Sequence, residues 1–192
     1  MASNPVSKMT EEQYLAIERT AGFRSEFLDG EMFAMAGGSN RHAKLQRNLL
    51  VELALALEGA AYEPFGPDSR LRISSETYVY PDVSVVCGPQ KTADVFDDYL
   101  VNPVAVFEVL SPSTEKYDRG TKFQYYRTMD SLQDYVLVSQ DQVRVEQFTR
   151  QPDGTWSLRD HQGFDDELRI DSIGVAVALH RVYRGISELT RS

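Results

Sequence analysis

Two hydrophobic periods alternate along this chain, and their succession predicts its elements. After Ser39, the residues Leu45, Leu49, Leu50, Leu53 and Leu57 recur at spacings of three and four, the repeat of one helical face. Ser39 is a good N-cap for that helix and Gly59 a good terminator. An earlier helix over residues 9–20 opens on a capping box, Thr10 with Gln13, and Met9 can staple against Tyr14. Residues 23–36 alternate around Asp29-Gly30, the signature of a hairpin with a tight turn. Extended pieces are predicted over 61–65, 70–74 and 78–87. A loop follows over 88–102, with a short helix around 93–99. Next come a strand over 104–110, a helix over 114–129 and a strand over 134–139. A β-rich tail has strands near 143–149 and 156–159 around the turn Pro152-Asp153-Gly154. Helices alternating with strands in this order predict an α/β layer arrangement, a sheet covered by helices.

Two positions break the pattern. In the strand 104–110, Val104, Val106, Glu108 and Leu110 share one face, and Ala105, Phe107 and Val109 share the other. Both faces are otherwise apolar, so the strand reads as central and covered on both sides. Asp82 lies in the comparable run Tyr78-Val79-Tyr80-Pro81-Asp82-Val83-Ser84-Val85-Val86-Cys87. An unpaired ionised carboxylate in such a setting costs roughly several kcal/mol even after relaxation. A divalent cation held between Asp82 and Glu108 would offset that cost, and two hard oxygen ligands suit Mg2+ or Mn2+. A salt bridge to an arginine is the plainer alternative for Glu108, and a turn-capping role the plainer one for Asp82.

Composition narrows the setting. The 192 residues, 42% hydrophobic and 26% charged, suit one globular domain spanning 1–192, with residues 1–8 flexible. The lone Cys87 excludes an intrachain disulfide and reads as a buried structural thiol. Three histidines and one cysteine make a structural zinc site a poor fit. No apolar run is long enough to span a bilayer and no signal-peptide core opens the chain, so a cytoplasmic protein with no membrane partner is expected. A net charge of −9 argues against general nucleic-acid coating. Basic residues nonetheless cluster locally: Arg41, Lys44 and Arg47 stand in a stretch without acids, and Lys116, Arg119, Lys122 and Arg127 meet only Asp118. These predict a basic face on an acidic body, with Arg41, Lys44, Arg47 and Arg119 as candidate phosphate contacts.

Metal-assisted phosphodiester hydrolysis also needs a cation near the attacked phosphate. Lys122 is the candidate, on a helix that starts just beyond the Glu108 strand. Asp118, Lys122 and Tyr126, spaced by four, fall on one helical face. In this reading Asp118 pairs with Lys122 and fixes its rotamer, and Tyr126 is either core packing or site support. His42, at the head of the long helix, is either an exposed polar residue or site support. Glu26, Glu31 and Glu52 read as surface charge rather than extra ligands.

Pro81-Asp82, then Glu108-Val109-Leu110-Ser111-Pro112-Ser113-Thr114, then Asp118-Arg119, Lys122 and Tyr126, resemble the putative restriction endonuclease family widespread in cyanobacteria, a branch of the PD-(D/E)XK nuclease superfamily. The resemblance extends from Glu26-Phe27-Leu28-Asp29-Gly30-Glu31 and His42 to Asp134-Tyr135-Val136-Leu137-Val138, and covers roughly residues 10–185. It implies a restriction-endonuclease-like core, a mixed β-sheet flanked by helices with a β-rich C-terminal extension. It also implies that Asp82 and Glu108 bind magnesium for cleavage of DNA. The superfamily's lysine usually stands two residues after the glutamate, where this chain has Leu110; in this branch Lys122 takes its place. The rival expectation is an inert nuclease-fold module that binds nucleic acid or a protein partner, favoured by Leu110 and the acidic charge. A glycoside hydrolase using the carboxylate pair is weaker, since no sugar platform surrounds Glu108. Exposed sheet edges lead us to expect a homodimer.

Overall fold

The computed structural model describes residues 8–88 and 98–186; the short helix expected around 93–99 falls mostly outside them. Helix α1 (Glu11–Glu18) starts on the predicted capping box, with Thr10 and Gln13 bonded reciprocally. The hairpin β1 (Ser25–Leu28) and β2 (Glu31–Ala34) turns at Asp29 and Gly30, at φ of 51° and 86°, the left-handed pair a tight hairpin turn requires. Helix α2 (Asn40–Ala56) is capped by the Ser39 side chain and buries Leu45, Leu49 and Leu53.

The run 78–87 is not one strand. It divides into β5 (Thr77–Val79) and β6 (Val83–Cys87), which belong to different sheets. Pro81 is the physical reason: without an N–H it cannot continue a ladder, and it turns the chain from one sheet into the next. With β3 (Tyr62–Phe65), β4 (Arg70–Ser74), β7 (Tyr99–Leu100), β8 (Pro103–Val109), β9 (Asp134–Val138), β10 (Arg144–Arg150) and β11 (Trp156–Gln162), two sheets result. The smaller has the order β2-β1-β5-β4-β7 and the larger β11-β10-β9-β8-β6-β3. In the larger sheet β8 runs antiparallel to β6 and parallel to β9, so the sheet is mixed and β8 is interior.

Both faces of β8 are covered, as its sequence predicts. Ala105, Phe107 and Val109 join Val83, Val85, Val136 and Val138 beneath the leucines of α2. The C-terminal hairpin β12 (Glu167–Ile170) and β13 (Val175–Ala178) with helix α4 (Leu179–Val182) completes that layer; the sequence reading had not resolved these elements. On the opposite face Val106, Leu110, Tyr135 and Leu137 pack with Leu71 and Val79 of the smaller sheet and with Tyr126. Tyr126 lies on helix α3 (115–126), whose middle, Asp118–Lys122, is a π turn between α-helical ends. Such wide turns are concentrated at functional sites. Cys87 corrects its expectation: it ends β6 beyond the cover of the core and is exposed.

Candidate active site

The crossing at Pro81 sets Asp82 directly against Glu108. In the β6–β8 ladder Val83 stands opposite Phe107, so the next pair outward is Asp82 with Glu108. Where Pro81 ends the ladder, the Asp82 carboxylate continues it: its Oδ2 accepts the Val109 N–H at 2.6 Å. In return Glu108 Oε2 accepts the Asp82 N–H at 3.4 Å. The two acidic groups, 26 residues apart in sequence, are thus tied across the two strands, Glu108 to the Asp82 backbone and Asp82 to the backbone of Val109, the residue after Glu108.

Helix α3 supplies the cation. Lys122 Nζ lies 2.9 Å from Glu108 Oε1 and 3.3 Å from Glu26 Oε1, with Asp118 Oδ1 at 3.9 Å, and it donates to the Tyr80 carbonyl at 3.3 Å. Tyr126 donates its hydroxyl to Glu108 Oε1 at 2.8 Å. The helical face of Asp118, Lys122 and Tyr126 read from the spacing therefore meets Glu108. Leu110, two residues after Glu108, is core. Among the described residues no arginine pairs with either carboxylate; Lys122 pairs with Glu108.

Helix α2 supplies the other side. His42 Nε2 is 2.8 Å from Asp82 Oδ1, and Gln46 Nε2, one helical turn on, donates to the same oxygen at 2.7 Å. Gln140 donates to the Leu110 carbonyl at 2.6 Å, and its amide nitrogen stands 3.5 Å from His42 Nδ1. An amide N–H donated to Nδ1 places the neutral ring's proton on Nε2, toward Asp82. Gly38 fits against this imidazole, since a Cβ there would lie 3.0 Å from His42 Cδ2.

Glu26 corrects its expectation as surface charge. It is buried, pairs with Lys122, and accepts the Tyr117 hydroxyl at 2.9 Å and the Tyr80 N–H at 3.3 Å. Glu52 is also buried, paired with Arg181 at 3.2 Å away from this centre, whereas Glu31 is exposed as expected. A usable signal existed for Gln46, four residues after His42 on one helical face. Gln140 carried none. The four candidate phosphate contacts do not line the cleft beside Asp82. Arg41 meets Gln140 and Asp141, Lys44 the Gly185 carbonyl, Arg47 Asn48, and Arg119 Glu115 and Glu146.

Charge does not balance here. Glu26, Asp82, Glu108 and Asp118 face Lys122 and His42, four carboxylates against at most two cations. Burial raises the Glu108 pKa well above the usual carboxylate range, and the neighbouring Asp118 and Asp82 charges add to this against the pull of Lys122. Burial raises Asp118 in the same direction. Burial works against the Lys122 ammonium, but Glu108, Glu26 and Asp118 outweigh it and hold the lysine charged. For His42 too burial disfavours the cation, and the Asp82 hydrogen bond and charge reverse the sign, raising its pKa.

The surplus negative charge bears on a metal. Among the described residues no three His, Cys, Asp or Glu side chains form a group spaced to hold an ion. Magnesium, however, needs only one or two carboxylates and retains water in its other positions. Asp82 Oδ1 has both lone pairs engaged, by His42 and Gln46, and Glu108 Oε1 has both engaged, by Lys122 and Tyr126. Oδ2 and Oε2 each accept a single backbone N–H and keep one acceptor position. Two hard oxygens with spare capacity, on ladder-opposed residues in an over-acidic centre, fit a divalent cation.

A cleft of about 670 Å3 opens beside this centre. His42, Gln46, Tyr80 and Asp82 form its deeper wall, and Phe23, Arg24 and Met35 its exposed rim.

A mixed sheet flanked by helices, with Asp82 and Glu108 side by side at its end, makes this an α/β fold. A crystal structure described as a putative nuclease belonging to DUF820, from Anabaena variabilis, has this fold: the TM-score is 0.75 at 14% identity, over 93% of this chain and 99% of that one. Residues 11–180 match the Uma2 family, described as "Putative restriction endonuclease", and the chain belongs to that family. Two uncharacterized proteins of Synechocystis sp. are similar to it. One is 37% identical over 186 residues, 96% of both chains. The other is 38% identical over 161 residues, 83% of this chain and 91% of the relative. Among the described residues no helix is long and apolar enough to cross a membrane.

Proposed function

We propose that this protein is a divalent-metal-dependent endonuclease that hydrolyses DNA phosphodiester bonds. The observation that carries the reading is the pairing of Asp82 and Glu108, each accepting a backbone N–H of the opposite strand and each keeping one oxygen with acceptor capacity. Asp82 and Glu108 would hold Mg2+ or Mn2+, which when bound supplies a water acidic enough to give hydroxide near neutral pH and offsets charge on the attacked phosphoryl group. The remaining work falls to the chain itself. Lys122 and Tyr126 hold Glu108 Oε1 and so orient Oε2. His42 and Gln46 do the same for Asp82, the member of the pair that lines the cleft. Asp118 and Glu26 keep the Lys122 ammonium charged beside the centre, where it offsets negative charge as the reaction proceeds. Arg41, Lys44, Arg47 and Arg119 act, in this proposal, as phosphate contacts outside the cleft.

Magnesium-dependent nicking of supercoiled plasmid tests this directly. Asp82→Ala and Glu108→Ala should abolish nicking while circular dichroism stays that of the parent; equal cleavage by variant and parent overturns the reading. A second reading, an inert nuclease-fold module that binds nucleic acid or a protein partner, is favoured by the heavily engaged carboxylate oxygens and by Leu110. Calorimetric titration with Mg2+ or Mn2+ separates the two, since the module needs no metal. We also propose a homodimer closed through an exposed sheet edge, with β2 and β11, each an outer strand of its sheet, as candidate edges. A monomer in sedimentation at micromolar concentration would remove it.

A further inference from the structure

We infer that the cleft receives one unpaired nucleotide, its base stacked on Phe23 and its phosphate drawn to Arg24, so that the substrate class is single-stranded or locally unpaired DNA rather than intact duplex. The inference rests on the nuclease reading and names the substrate of the same centre. Phe23 is 52% exposed on the rim. Tyr14, Phe27, Tyr78 and Tyr99 pack their rings on one another, whereas no ring packs on Phe23 among the described residues. An apolar ring held open at a concave rim offers a π face to a base, and stacking of this kind tolerates any base. Arg24 stands beside it. Its only described ion pair, with the highly exposed Asp68, faces solvent and is weak enough to yield to a phosphate. The guanidinium lies 6.0 Å from the Tyr80 ring, which keeps it over the cleft wall.

Shape and charge point the same way. A volume of about 670 Å3 lies within the range of small-ligand pockets, about 300–1,000 Å3. A duplex would instead need an element entering a groove or a basic stripe tracking the phosphates. Arg41, Lys44, Arg47 and Arg119, the phosphate contacts proposed above, lie outside the cleft, and within it Arg24 is the arginine offered to a phosphate. Chemistry on a nucleotide taken out of its stack is then favoured by a pre-existing lack of pairing.

The test uses the full chain and one oligonucleotide carrying a fluorescent adenine analogue, offered as single strand, as perfect duplex, and as duplex with that base unpaired. Binding is read by fluorescence with Ca2+ and cleavage with Mg2+ or Mn2+. The single strand and the unpaired duplex should bind at least about tenfold more tightly than the perfect duplex, as loss of one stacked base would predict. Phe23→Ala should raise Kd and KM for those two by about tenfold with kcat little changed, and Phe23→Trp should restore them. Equal binding of all three, or a silent Phe23→Ala, overturns the inference. Equal cleavage of all three overturns it but leaves the nuclease reading standing. Phe23-dependent binding with no cleavage at all does the reverse, and neither binding nor cleavage sinks both.

Discussion

Glu108 and Asp134 lie on neighbouring strands of one sheet, and both carboxylates are buried, at 3% and 0% exposure. They are solved in opposite ways. Asp134 is surrounded by neutral donors: Gln147 Nε2 at 2.8 Å and Thr149 Oγ1 at 2.7 Å on one oxygen, Ser172 Oγ on the other. That network joins β9, β10 and the turn at Asp171–Ile173. Glu108 shares its space with three other carboxylates and an ammonium, beside an open cleft. A saturated buried acid serves the fold. An over-acidic buried centre with spare acceptor capacity lowers stability unless something binds, which is why the proposed chemistry is placed here.

Substitutions at the two centres should separate accordingly. The largest effect is on activity: Asp82→Asn or Glu108→Gln should reduce magnesium-dependent nicking to background, while Asp134→Asn leaves the activity of the folded fraction intact. Loss of nicking in Asp134→Asn at unchanged stability would erase the distinction. Next, Lys122→Met strands a buried acidic cluster, and breaking such a pair costs about 3–5 kcal/mol, measured by urea unfolding. Asp134→Ala leaves three donors without their acceptor and should cost about 1–3 kcal/mol by the same measurement.

The pH response sharpens the contrast further. Glu108 and Asp118 have folded pKa values raised above their ordinary 4.5 and 3.8, so the folded chain binds more protons than the unfolded one. With metal chelated, their contribution to stability is therefore largest in acid and is lost as pH rises from those ordinary values through the raised ones. Lys122, also raised, contributes fully below its ordinary 10.5 and leaves that window unchanged. Glu108→Gln should flatten the slope, and a parent whose stability climbs steadily from pH 4 to neutrality would contradict the assignment. The smallest effect is expected at Gly38→Ala. The added methyl presses on the His42 ring, so nicking should fall by about tenfold with less than ~1 kcal/mol lost in stability. Full activity would show that the His42 position does not matter.

Much of this was legible in the residues. The leucine stripe, the capping box and the Asp29-Gly30 turn depend on local spacing, and each forms where the pattern places it. The two-faced apolar run around Glu108 revealed an interior strand before its neighbours were known, and the four-residue spacing put Asp118, Lys122 and Tyr126 together. Glu26 was less legible. A four-residue hairpin strand with one acid looks like surface, and nothing local indicates that the smaller sheet folds over the end of the larger one. Cys87 failed for the converse reason: β-branched neighbours suggested burial, but the cover stops one residue short.

The sequence by itself determined the two long helical faces, most of the strands up to residue 159, which strand is interior, and that two acids stand where solvation is poor. Those properties follow from side-chain period and transfer free energy, which act within a few residues. Only the tertiary structure decided that Pro81 passes the chain between sheets, that Asp82 then stands opposite Glu108, and that Glu26, Gln46 and Gln140 complete the centre. Strand partners are chosen by the burial of whole faces across distant segments, and no local pattern records that choice.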